Sequence, residues 1–157
     1  FKSVMKDTPA GIPVTSFSIL FARYKGDLEQ QVLGAAAIRA LRPGDRVLIS
    51  EGCTHHRQCQ DIGTVKLPGW LENYTGFPPQ VDFTQGGQFP EDLSPYRLII
   101  HCGGCMLNET EMKGRLRIAK DAGVPMTNYG VAIAAFNGTL ARALEPFPAY
   151  QQLLESE

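Results

Sequence analysis

Apolar residues in this chain fall alternately into helical stripes and short unbroken runs. In TSFSILFARYKGD (15–27), Phe17, Leu20, Phe21 and Tyr24 recur at i, i+3, i+4 and i+7, which predicts a helix packed through one aromatic face. Gly26 suits its stop. Asp27 can cap a second helix, LEQQVLGAAAIRAL (28–41), whose Gly34 and Ala35 to Ala37 permit close approach to a sheet. RPGD (42–45) reads as a turn. RVLIS (46–50) and RLIIH (97–101) are apolar, β-branched runs of the kind that form fully buried parallel strands.

Between those runs, EGCTHHRQCQDIGTVKLPGW (51–70) reads as a long loop punctuated by Gly and Pro, and PQVDFTQ (79–85) as a further strand. Asn108, followed by Glu109 and Glu111, has the form of a capped helix start. Met112, Leu116 and Ala119 give that helix a buried stripe, while Glu109 with Lys113 and Glu111 with Arg115 form i, i+4 pairs on a solvated face. GVPMTN (123–128) offers a short strand. YGVAIAAFNGTLARAL (129–144) then predicts a helix with Ile133, Phe136, Leu140 and Leu144 inward. Alternating strands and helices predict an α/β fold, a small and mostly parallel sheet covered by helices. In such sheets ligands collect beyond the carboxyl ends of the strands.

Composition narrows the class. With 157 residues, 43% hydrophobic and 20% charged, the chain suits a soluble globular domain with a real core. Lys and Arg total 15 against 16 acids, so no strong field draws nucleic acid or an anionic membrane. No apolar run approaches the roughly 20 residues that span a bilayer, and FKSVMKDTPAGIP has no signal-peptide core. A cytoplasmic location follows as the expectation. There thiols stay reduced, and clustered cysteines point to metal or redox chemistry before structural disulfides.

The cysteines and histidines are clustered. CTHH (53–56) and HCGGC (101–105) hold all three histidines and three of the four cysteines. Each cluster follows a predicted strand, so neighbouring strands would bring Cys53, Cys102 and Cys105 to one sheet edge. In Cys102-Gly-Gly-Cys105 the two-residue spacer lets both sulfurs face one metal or cluster, and the glycines open the backbone toward sulfur. The start of the following helix favours thiolate. His55 and His101, each beside a thiol, can ligate or hydrogen-bond to sulfur. His56 reads as a solvated side chain and Cys59 as a loop thiol.

Three chemistries stay open on the residues alone. A zinc-stabilised structural module would use a Cys3His set. An iron–sulfur cluster would take three thiolates and leave one iron to another ligand. A dithiol-disulfide oxidoreductase would use Cys102 as nucleophile and Cys105 as resolving thiol. GVPMT resembles the cis-proline segment of thioredoxin-like proteins, but a helix is predicted after it in place of a strand hairpin, and Cys53 and His55 stay unexplained.

Cys53-x-His55, separated by residues 56–100 from His101-Cys102-x-x-Cys105, resembles the iron–sulfur-binding domain of HydF, the GTPase family that matures FeFe-hydrogenases. PVTSFSILFARYKGDL, DIGTVKLP, HCGGCMLN and GVPMTNYG agree with it, so the resemblance covers nearly the whole chain. It implies a 4Fe–4S cluster on Cys53, Cys102 and Cys105, with His55 and His101 as candidates for the fourth iron or for hydrogen bonds around it. It implies a scaffold and carrier that helps two radical-SAM maturases assemble the diiron subcluster of the H-cluster. The diiron precursor is held transiently and delivered to apo FeFe-hydrogenase. It further implies that residues 1–157 form a single cluster-binding domain, that 1–26 connect to a preceding dimerisation domain, and that the full-length protein is a homodimer. The chain opens at Phe1 without an initiator Met and reads as a piece of something longer. It contains no Gly-Lys dipeptide and hence no G-x-x-x-x-G-K-[ST] loop, so neither nucleotide binding nor a catalytic residue is expected within it.

Overall fold

The apolar runs form strands, and those strands are buried on both faces. In the computed structural model, which describes residues 6–9, 11–12, 14–15, 19–20, 23, 28–51, 66–85, 89–102 and 109–155, β1 spans Arg46–Glu51, β2 Gln80–Gln85, β3 Leu98–His101 and β4 Met126–Asn128. They build one parallel sheet in the order β2-β1-β3-β4. Five of the six residues of β1 and all four of β3 are buried. Full burial of one such Leu, Ile or Val side chain contributes about 1.5–3 kcal/mol.

Successive side chains point to opposite faces. Val47, Ile49, Leu98 and Ile100 therefore join Leu67, Leu71, Tyr129 and Ala132 in one core cluster, while Leu48, Ile99 and Met126 join Met112, Leu116 and Ala119 in another. The helices supplying these partners are α2 (Leu67–Thr75), α3 (Glu109–Asp121) and α4 (Tyr129–Phe136). A third cluster is helical. It unites α1 (Leu28–Ala37), α4, α5 (Leu140–Ala143) and Ile19, with Tyr150, Leu153 and Leu154 of α6 (Pro148–Glu155) packed on it.

The close approach expected at Gly34 is present. A Cβ there would stand 2.5 Å from the Met126 carbonyl oxygen and 3.0 Å from the Thr127 nitrogen, so only glycine lets α1 lie against the backbone of β4. RPGD is the expected turn, closed by the Asp45 amide donating to the Arg42 carbonyl at 3.0 Å, with Gly44 at φ +93°.

Four expectations are corrected. Residues 67–70 are not loop but the first turn of α2, where Pro68 sits at a position that needs no N–H donor. The N-terminal stripe is out of phase: Leu20 is 44% exposed and Ile19 is wholly buried, while Phe17, Phe21 and Tyr24 lie outside the described residues. The helix predicted over 129–144 breaks at Asn137–Gly138, where Gly138 takes φ +71°. Leu140 and Leu144 are buried as expected, but Ile133 and Phe136 only partly. On the face of α3 expected to be solvated, Glu111 and Lys113 are exposed but Arg115 is buried. The predicted cap at Asn108 lies outside the described residues.

Candidate metal centre

The carboxyl ends of β1 and β3 lie side by side, with Ser50 opposite His101. The Cys102 amide extends this pairing by one residue, donating to the Ser50 carbonyl at 2.9 Å. Period-2 alternation then sorts the edge. Glu51 and Cys102 fall on the face of α2 and α4, and Ser50 and His101 on the face of α3.

His101 has no exposed surface, and its ring is fixed by two bonds. A guanidinium can only donate. Arg115 Nη1, 2.8 Å from His101 Nε2, must therefore donate to it, and the imidazole proton resides on Nδ1. That Nδ1–H donates to the Cys102 carbonyl at 2.7 Å. Burial lowers the imidazole pKa to about 4, helped by the adjacent Arg115 charge and opposed by the bond to Cys102. The ring is thus neutral at physiological pH, and both its nitrogens are engaged by protein partners.

Arg115 is held by more than His101. Its Nη2 lies 3.6 Å from Glu111 Oε1, and its guanidinium stacks 5.1 Å from the centre of the Phe89 ring. Burial lowers its pKa, while Glu111 and then Cys102 raise it through their negative charge. The arrangement places a fixed cation within electrostatic reach of the Cys102 sulfur, which is itself buried at 3% exposure.

On the opposite face Glu51 is a buried carboxylate. Tyr129 OH donates to its Oε1 at 3.4 Å, whereas Oε2 has no hydrogen-bond partner among the described residues. Burial raises its pKa, and the Tyr129 bond opposes that shift. Asn128, at the end of β4, caps α4: its Oδ1 accepts from the Val131 amide at 2.7 Å, and its Nδ2 donates to Gln31 Oε1 at 2.7 Å.

The structure thus describes His101 and Cys102 at this edge. Cys53, His55 and Cys105 lie outside the described residues, as do His56 and Cys59. Among the described residues no three His, Cys, Asp or Glu side chains converge on a metal-binding arrangement. What the edge does present is a buried sulfur with a buried cation behind it, which suits an anionic metal–sulfur group, and beside them a buried carboxyl whose Oε2 has no hydrogen-bond partner among the described residues. Sequence reasoning missed Glu51, Arg115 and Asn128. Only Asn128 carried a local signal, an Asn directly before a helix.

Fold and edge together define a parallel α/β domain that gathers polar and sulfur side chains at its strand ends. The chain belongs to the hydrogen maturase F family: residues 29–146 match its tetramerization domain and residues 1–26 its dimerization domain. Both stretches are self-association modules. A comparison with curated proteins finds no match. No helix among the described residues is long and apolar enough to cross a membrane.

Proposed function

We propose that this chain is the cluster-bearing scaffold of a hydrogenase maturase, holding a 4Fe–4S cluster on Cys53, Cys102 and Cys105. In this reading it takes up a diiron precursor as cargo, built with two radical-SAM maturases, and passes it to apo FeFe-hydrogenase. The observation that carries the reading is the buried Cys102 at the end of β3, with its backbone tied to β1 and the Arg115 cation behind it. Connectivity adds to this. In sequence Cys53 follows Glu51, the last residue of β1, by two residues, and Cys105 follows Cys102 by three, while β1 and β3 are paired neighbours.

The cluster would supply an iron not held by cysteine, to which cargo or a small ligand binds. The chain's own residues keep that group in place. Arg115 offsets the negative charge of thiolates and sulfide. His101, with both nitrogens engaged, orients the Cys102 carbonyl and Arg115. Glu51 Oε2, at the same strand ends, is a buried oxygen without a hydrogen-bond partner among the described residues. His55 is the remaining nitrogen candidate for the fourth iron.

A carrier needs an exchangeable position, and a fourth thiolate would compete with incoming cargo. The test is electron paramagnetic resonance of the reduced, anaerobically reconstituted protein before and after addition of imidazole or cyanide. A changed signal supports the carrier reading. A spectrum indifferent to both ligands, in wild type and in His55→Ala, shows a closed site and refutes it.

A further inference from the structure

The self-association modules raise the question of which surface joins the copies. Within residues 29–146, the large apolar side chains exposed among the described residues are Trp70, Tyr74, Phe83 and Ile118, each at least 36% exposed. Three of them share one side of the sheet. Trp70 and Tyr74 stand at i and i+4 on α2, whose Leu67 and Leu71 pack on the sheet face carrying Val47 and Ile49. Val81 packs on that same cluster, and Phe83, two residues further along β2, falls on the same face. Ile118 belongs to α3, across the sheet.

The Trp70 side of α2 is also concave. A groove of about 370 Å³ opens between α2 and α4, lined by Trp70, Asn73, Tyr74, Ile133, Phe136 and Asn137. The Tyr74 and Phe136 rings meet in its wall, 5.4 Å apart and tilted by 56°. None of the lining residues is charged. Uncharged, aromatic-rich surface with Trp and Tyr at its centre is the composition of an interface core, and such residues carry most of the binding energy where they occur.

We infer that this groove between α2 and α4, with Trp70 and Tyr74 as its anchors, is where a second copy of this chain docks to build the tetramer. The occupant is a second copy because the matched stretch that contains every lining residue is a tetramerization domain. The separate dimerization stretch, 1–26, supplies the other contact. A stable interface buries about 800 Å² on each partner, so the groove is its centre and the surface around it completes the contact. Closed assemblies favour two-fold contacts, in which Trp70 of each copy enters the same site on the other.

The chain itself supplies the probe, since Trp70 is its single tryptophan. Emission and acrylamide quenching of the wild-type chain are followed across a thousandfold dilution, alongside molar mass by light scattering. The expected result is blue-shifted, poorly quenched emission at high concentration that shifts red and becomes quenchable as the mass falls from four copies to two. Trp70→Arg and Tyr74→Arg should each give two copies at the concentration where wild type gives four, with unchanged far-ultraviolet circular dichroism. Ile118→Arg should keep four. Tetramer dissociation without any change in Trp70 emission would overturn the inference. A wild-type chain that never exceeds two copies would overturn it as well, and so would Trp70 and Tyr74 variants that keep four copies.

Discussion

Replacing Arg115 by Met removes a buried cation while keeping most of the unbranched stem that packs beside Phe89. The guanidinium bond to His101 Nε2, at 2.8 Å, is lost, and the imidazole nitrogen is left without this donor in a site closed to water. A hydrogen bond involving a charged group contributes about 1.5–3 kcal/mol, and an orphaned buried acceptor costs about 1–3 kcal/mol, two views of the same loss. The Glu111 pair adds little, about 0.3–0.5 kcal/mol, because Glu111 is 45% exposed. Relief of the buried charge works in the opposite direction. The net expectation is a loss of about 2 kcal/mol, or roughly 4–8 °C in melting temperature for a chain of this size. Circular dichroism melts of the iron-free protein read this directly. Long-range proton–nitrogen spectra of the histidines should show His101 protonated on Nδ1 in wild type and variant alike, because the bond to the Cys102 carbonyl stays, with the Nε2 resonance shifted in the variant by loss of its donor. In the iron-loaded protein, loss of the cation should lower the reduction potential by tens of millivolts, because a more reduced cluster is more negative. A variant with wild-type melting temperature and an unchanged His101 Nε2 resonance would refute this account of the edge.

Gly34→Ala should destabilise by about 1–3 kcal/mol or more in urea denaturation, since its Cβ meets the Met126 carbonyl at 2.5 Å and backbone cannot swing aside. Asn128→Ala should lose about 1 kcal/mol by the same measurement, because the Val131 amide loses its cap and Gln31 its donor. Chelating the iron should lower the melting temperature by linkage yet leave far-ultraviolet circular dichroism intact, because the three core clusters are built from apolar side chains. A random-coil spectrum without iron would instead make the metal the organiser of the fold.

The strands were the most legible part of this chain. RVLIS and RLIIH are too short for helices and too uniformly apolar for a half-exposed sheet, and both are buried as that pattern requires. The start of α2 was hidden because Pro68 and Gly69 look like loop punctuation and only Leu67 and Leu71 point inward. Ser-Ile-Leu-Phe at 18–21 supports two helical phases, and packing of Ile19 with Val32 and Leu144 selects the one that local spacing did not. Arg115 had a surface explanation in its Glu111 pair. Its burial depends on β3 bringing His101 beneath α3, which no local pattern encodes. Glu51 was passed over for a similar reason: its partner Tyr129 is 78 residues away. The clustering of thiols and imidazoles was plain in the sequence, whereas the charge that surrounds Cys102 became visible only with the packing.

The central claim is that Cys53, Cys102 and Cys105 together hold one iron–sulfur cluster. Iron and sulfide analysis with electron paramagnetic resonance, on chains reconstituted anaerobically and then reduced, tests it most directly in wild type and in four single Cys→Ser variants. The account predicts a brown wild-type protein with about four iron atoms per chain, most of them lost in Cys53→Ser, Cys102→Ser and Cys105→Ser, because two thiolates hold a cubane poorly. Cys59→Ser should retain its iron and its signal. A colourless protein that binds zinc in place of iron would contradict the claim, and so would equal iron loss in all four variants.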